Sequence, residues 1–153
     1  MNDYIKFLRS RVGHAPIMLA GASVIVEDGR GEILLQKRRD NHCWGYAGGG
    51  VELGETVEDA ARRELLEETG LAALDLELFG VFSGPELRYI YPNGDEIYCV
   101  ETVFLCRSFS GELMPQADEV EELAFFPPEA LPEPISPPIL PAWRAYLLHR
   151  GIT

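Results

Sequence analysis

The sequence predicts an α+β sandwich, folded as one domain over residues 1–153. Three observations carry this expectation. Short apolar, strand-like runs recur between turn signals. One helix, between Thr56 and Gly70, is signalled at both ends. A further helical pattern closes the chain after a proline-rich stretch. No internal repeat and no linker marks a second domain.

In chain order, residues 3–11 read as a short basic helix. Ala20 to Val26 and Glu32 to Lys37 read as strands joined by Glu27-Asp28-Gly29-Arg30-Gly31, a turn-rich stretch that predicts a hairpin. Asp40 to Tyr46 is a loop containing Trp44, and a glycine cluster follows at Gly48, Gly49, Gly50 and Gly54. Leu74 to Phe82 is strand-like. Leu87 to Tyr91 and Glu96 to Cys106 flank Pro92-Asn93-Gly94-Asp95, which predicts a second hairpin. Leu123 to Phe126 is a short strand. Residues 127–141 carry Pro127, Pro128, Pro132, Pro134, Pro137, Pro138 and Pro141, so they should wrap the surface without regular structure. Ala142 to Arg150 is a terminal helix with Trp143, Tyr146 and Leu147 facing inward.

The central helix is the best defined element. Thr56 serves as N-cap, with Asp59 three residues later in a variant of the capping box. Glu58 and Asp59 sit in the first turn, where the macrodipole favours negative charge. Gly70 supplies a left-handed C-terminal residue. Glu64, Glu67 and Glu68 lie at i, i+3 and i+4 on one face, where like charges repel by roughly 0.2–0.5 kcal/mol per pair. On the helical wheel they share an arc with Val57, Ala60 and Ala61, opposite Asp59, Arg62 and Leu66. Acids on an inward stripe are costly unless paired or metal-bound. An exposed, charged helix face is the plain alternative; the neighbouring glycine cluster and the wheel weigh against it.

These residues resemble the signature of the Nudix hydrolases: Gly, five residues, Glu, seven residues, then Arg-Glu-apolar-x-Glu-Glu-x-Gly-apolar. Gly49, Glu55, Arg63, Glu64, Leu65, Glu67, Glu68, Gly70 and Leu71 occupy the specified places within 23 residues. The resemblance implies an α/β/α sandwich with a mixed β-sheet, and a loop–helix–loop formed by the signature. It also implies attack of water on phosphorus in a diphosphate linkage. By the same resemblance Glu64 and Glu68 are the principal metal ligands, with Glu67 contributing and the Gly48 carbonyl as a backbone ligand. Glu55 and Arg63 would pair to hold the loop against the helix, or form an ordinary surface salt bridge. Ala47 stands where many members carry proline, which loosens the loop but removes no ligand.

A carboxylate cluster without His or Cys suits Mg²⁺, or Mn²⁺, rather than Zn²⁺. The resemblance also implies a further acid from a loop outside the signature, and Ala117 to Leu123 is the region that offers one; Glu119 is favoured as added ligand or general base, with Asp118, Glu121 and Glu122 as alternatives. Glu64 competes for the base role. Among Lys37, Arg38 and Arg39, the guanidinium of Arg38 is favoured for bidentate phosphate contact and Lys37 is second. Trp44 either stacks on a base or packs its loop, and Tyr89 and Tyr91 pose the same choice. His14, His42 and His149 have no partner at metal-ligand spacing and read as ordinary histidines.

The formal net charge is −12, which argues against a general nucleic-acid surface. Cys43, Cys99 and Cys106 form no CxxC pair, and the last two lie in an apolar run that suits packing. The N-terminal residues are too polar for a secretory signal, and no apolar run approaches 18 residues. The expected setting is a reducing cytoplasm with no membrane contact. The expected partner is a small-molecule nucleotide, and a homodimer fits the family's habit. Pro85 and Tyr89 lie near two subfamily markers that conflict, so nucleoside triphosphates, ADP-ribose and dinucleoside polyphosphates stay open as substrates. Two other readings remain: a nucleotide-binding sensor that does not cleave, and an RNA 5′-end pyrophosphohydrolase using a local basic patch.

Overall fold

A computed structural model describes residues 3–152; Met1, Asn2 and Thr153, the ends of the expected domain span, lie outside the described residues. The elements run α1 (Asp3–Val12), β1 (Ile17–Val26), β2 (Ile33–Arg38), β3 (Trp44–Gly45), β4 (Ala47–Gly50), α2 (Val57–Thr69), β5 (Leu71–Ala73), β6 (Glu77–Phe82), β7 (Arg88–Ile90), β8 (Glu96–Cys106), β9 (Phe109–Gly111), β10 (Val120–Phe126) and α3 (Leu140–Arg150). A mixed five-stranded sheet has the order β4-β1-β8-β6, with β7 also on β8. Its centre is a parallel ladder from Ile17↔Ile97 to Val26↔Cys106. A second sheet, β10-β2-β3, and a small β5-β9 pair complete the strands.

Alternation along the central strands builds two cores. Ala22, Val24, Val26, Phe104 and Cys106 pack with Ala60, Ala61 and Leu65 of α2. Ile25, Val103 and Leu105 face the other way, toward Ile33, Leu35, Trp143 and Tyr146 of β2 and α3. The result is helices on either side of strands, as the sequence predicts. Among the described residues no helix is long and apolar enough to cross a membrane.

The ends of α2 follow the local signals. Thr56 Oγ1 accepts from the Asp59 N–H at 3.1 Å. Gly70 takes φ 80°, and its N–H donates to the Leu66 carbonyl at 3.0 Å. A Cβ at Gly70 would also meet the Glu112 carbonyl oxygen at 2.5 Å, so two constraints require glycine there. Leu65 is fully buried, whereas Leu66 is 53% exposed. Leu65→Ala should therefore cost about 2–5 kcal/mol by cavity formation, and Leu66→Ala no more than about 0.5 kcal/mol. Denaturant midpoints of the two variants would check this; equal shifts would contradict the packing.

Several expectations change. The 27–31 turn forms, but it is closed by a single Glu27↔Ile33 bridge rather than a hairpin ladder. Beyond it β1 and β2 enter different sheets, because each has a better buried partner: β8 for β1, β10 for β2. The glycine cluster is partly strand: β4 pairs antiparallel with β1 from Gly21↔Gly50 to Val24↔Ala47. Trp44 also enters a strand, opposite Lys37. The 74–82 run breaks, leaving β6 to start at Glu77. The predicted 92–95 hairpin is present, with Arg88 opposite Tyr98 and Ile90 opposite Glu96.

Candidate active site

The inward face of α2 meets the edge strand β4 at two carboxylates. Glu68 is 4% exposed. One of its oxygens accepts from the Gly48 N–H at 3.1 Å, and the other from the Gln36 side-chain amide. Burial, and then the neighbouring charge of Glu64, push the Glu68 carboxyl well above the usual range. Glu64 lies against the backbone of β4: a Cβ at Gly49 would stand 2.5 Å from its Oε1 and 2.6 Å from its Cδ. Glycine at this position is thus what lets the strand and the acid approach each other.

Arg63 ties this arrangement down. Its guanidinium grips Glu55 with Nε to Oε2 at 2.7 Å and an Nη2 to Oε1 bond at 3.0 Å. It also donates to Glu64 Oε1 at 2.7 Å and to the Gly50 carbonyl at 3.1 Å. These contacts join the glycine strand, the following turn and the helix through one side chain. Hydrogen bonding to Arg63 holds the Glu55 carboxyl below its ordinary range.

Glu64 and Glu68 open onto a cavity of about 380 Å³, together with Arg38, Arg39, Asp118 and Glu119. The loop bearing the last two acids is anchored to the end of α2, with Met114 N–H on the Thr69 carbonyl at 2.8 Å and Gln116 N–H on the Glu68 carbonyl at 3.3 Å. Past Gly48–Gly50, Arg38 and Tyr91, the space continues into a cavity of about 190 Å³. Tyr46, Tyr89, Tyr91, Cys99 and Glu101 line that end. Tyr89 and Tyr91 meet edge to face with centroids 4.8 Å apart. The cleft is acidic at one end, aromatic at the other, with an arginine between.

The acidic end fits a hard divalent cation. Its donors are oxygens, and Gln36 Oε1, buried beside Glu68, has no hydrogen-bond partner among the described residues. A cation would also reverse the upward push on Glu68. Among the described residues no three Asp, Glu, His or Cys side chains converge into a full cage. A cation here would rely on substrate phosphates and water for its remaining positions, as Mg²⁺ commonly does.

Residues 18–150 match the sequence profile described as NUDIX domain. The chain belongs to the NUDIX domain family. An ADP-ribose pyrophosphatase from Methanocaldococcus jannaschii is 40% identical over 105 residues, which is 67% of this chain and 58% of that protein. The nucleoside triphosphatase NudI of Escherichia coli is 37% identical over 91 residues, 58% of this chain and 64% of its own. The chain thus spans about six tenths of the length of these two relatives. A MutT NUDIX hydrolase structure from Burkholderia pseudomallei superposes with a TM-score of 0.73 at 32% identity, covering 84% of this chain and 98% of the other.

Within this Nudix fold the predicted residues divide. Glu64, Glu68, Gly48, Arg38 and Glu119 converge on the larger cavity. The Glu55–Arg63 pair forms as expected. Glu67 does not join them: its side chain is 50% exposed and lies 3.5 Å from Arg63. Leu65 takes the buried place on the helix instead, because the face turned to the core is centred nearer Ala61 and Leu65 than the wheel assigns. Lys37 points away from the cavity, as strand alternation requires beside Arg38, and stands 3.7 Å from Glu121. Trp44 is buried and packs edge to face on Phe126 at 5.1 Å, so of its two expected roles it takes packing. Arg38 is itself held by Asp40 through two bonds of 2.9 and 2.8 Å, which fix the guanidinium plane and lower the Asp40 carboxyl.

Sequence reasoning missed Gln36 and Glu101. Each has a visible signal: Gln36 follows directly on the apolar run Ile33-Leu34-Leu35, and Glu101 interrupts the run from Tyr98 to Cys106, whose only other polar residue is Thr102. Buried strands tolerate such residues only where a partner or a ligand answers them.

Proposed function

We propose that this chain is a Mg²⁺- or Mn²⁺-dependent hydrolase that cleaves a diphosphate linkage in a nucleoside diphosphate derivative. The carrying observation is the adjacency of the Glu64–Glu68 pair and the aromatic cavity, with Arg38 between them. This spacing suits a ligand with phosphates at one end and a base at the other. The names of the relatives support the same class, one for ADP-ribose and one for nucleoside triphosphates.

Glu64, Glu68 and the Gly48 carbonyl would hold the cation, which when bound neutralises phosphate charge and acidifies a water. Arg38, already oriented by Asp40, presents its remaining N–H groups to a phosphate oxygen. Glu119, which lines the cavity from the opposite loop, would take the proton of the attacking water. The new P–O bond forms from that water as the bridging P–O bond breaks, and the departing phosphate carries away the bridging oxygen. Arg63 holds Glu64 and the glycine strand in place throughout.

Release of nucleotide or phosphate from a panel of ADP-ribose, nucleoside triphosphates and dinucleoside polyphosphates would test this, with Mg²⁺, with Mn²⁺ and with chelator. Cleavage of one class that ceases on chelation is the expected result. Binding of a nucleotide without cleavage of any would favour the sensor reading. Cleavage confined to RNA 5′ ends, weakening steeply with salt, would favour the RNA enzyme.

A further inference from the structure

The floor of the aromatic cavity carries an acid that none of the steps above uses. Glu101 lies on β8, and alternation puts it on the same face as Cys99 and Val103. It is deeply set, yet it borders the cavity and keeps partial exposure there. Its register partner on β1 is Gly21. A Cβ at Gly21 would lie 2.8 Å from Glu101 Oε2 and 2.9 Å from Cys99 Sγ, so the carboxylate can lie here beside the cavity because residue 21 has no side chain.

Almost nothing within the protein answers this acid. Among the described residues its only hydrogen bond is from the Cys99 thiol to Oε2, at 3.1 Å, and thiols are weak donors. The nearby Tyr46 hydroxyl donates elsewhere, to the Ile139 carbonyl at 2.7 Å. No cation of the described chain pairs with Glu101. Burial consequently pushes its carboxyl above the usual range. An acid so placed is costly unless a bound molecule brings donors to it.

The surroundings say what kind of molecule. Tyr89 and Tyr91 offer ring surfaces at the same cavity, and Asn41 fixes the Tyr89 hydroxyl with a 3.2 Å bond. Flat rings stack on aromatic side chains, and a carboxylate reads N–H groups on their edges. We propose that Glu101 is a specificity-determining residue that accepts a hydrogen bond from the exocyclic amino group of a nucleobase held in the aromatic cavity. This rests on the hydrolase reading for the position of the phosphates only. The chain would then prefer nucleotides with an amino group on the base over counterparts with an oxo group or hydrogen in its place. A site built to accept from a substrate N–H discriminates strongly against the analogue lacking it, because the buried acceptor is left unpaired.

The test compares three pairs of nucleotides: adenine with hypoxanthine, guanine with hypoxanthine, and cytosine with uracil. The parent protein is expected to favour the amino member of at least one pair by tenfold or more in kcat/KM, chiefly through KM. Glu101→Gln, which keeps the shape and replaces one acceptor with a donor, should collapse that ratio to within about threefold. If Glu101→Gln does not fold, Cys99→Ala removes the thiol that orients the carboxylate and should lower the same ratio. Equal treatment of all three pairs by the parent protein would overturn the proposal. So would a uniform loss in Glu101→Gln across all bases and a base-free ribose diphosphate. Calorimetry with the corresponding nucleoside monophosphates, without metal, separates the two readings. Amino-group discrimination in binding with no cleavage of any diphosphate would sink the hydrolase and leave Glu101 its role.

Discussion

Glu68→Gln should lower turnover by about a hundredfold or more while the protein stays folded. The substitution keeps the volume and one of the two accepting oxygens but removes one negative charge from a pair that faces the larger cavity. Metal ions in such sites supply several kcal/mol of transition-state stabilisation, and each ~1.4 kcal/mol is a factor of ten in rate. Stability should respond differently. Glu68 is buried and its carboxyl is pushed up by burial and by Glu64, so its charge opposes the metal-free fold at neutral pH. The metal-free variant should melt no lower than the metal-free parent. Addition of Mg²⁺ should raise the melting temperature of the parent and not that of the variant, since only the parent gains binding energy in the folded state. Parent-like turnover in the folded variant, or an undiminished Mg²⁺ shift, would remove Glu68 from the cation site.

Gly49→Ala should also cost about a hundredfold in kcat, with little effect on stability. The added methyl would sit 2.5–2.8 Å from the Glu64 carboxylate, which is the end of a flexible side chain and can swing aside. The fold tolerates that movement, whereas the chemistry does not: misplacement of a reacting or ligating group by about 1 Å can cost ~10²-fold. Displacing Glu64 would also disturb its 2.7 Å contact with Arg63, and so the link to Glu55 and Gly50. Rate measurement beside a thermal melt checks the asymmetry. A melting temperature that collapses along with the rate would show that Gly49 serves the fold rather than the site.

Local signals were informative where the chain makes local structure. Thr56 and Gly70 mark both ends of α2, and the Pro92–Asp95 turn marks the β7–β8 hairpin, because caps and turns are decided by residues three or four apart. The same logic misplaced β2. The turn at residues 27–31 is real, but which strand pairs with which depends on buried surface far along the chain. Glycines disfavour strands, so nothing local announces β4; its pairing with β1 imposes it, and the close approach of Glu64 explains the composition. In the site, the inward position of Glu64 and Glu68 was legible from spacing, and the acidic composition of 117–123 pointed to the loop whose Asp118 and Glu119 line the cavity. For Trp44 the packing alternative is the one that forms, Lys37 turns from the cavity toward Glu121, and Glu67 stands half exposed beside Arg63. Each is the right residue type on a face that only the packed structure determines.

The parallel ladder at the centre of the main sheet sets the order in which this protein can be made. Strand β1 ends at Val26, and its partner β8 runs from Glu96 to Cys106. A chain growing from its N-terminus therefore carries β1 for some seventy residues before its neighbour exists. During that interval α2, with its acids and glycines already synthesised, has only half a sheet to lie on. Contacts this distant in sequence slow folding and leave strand edges exposed meanwhile. The acidic excess of the chain, −12 in all, opposes association between such unfinished chains.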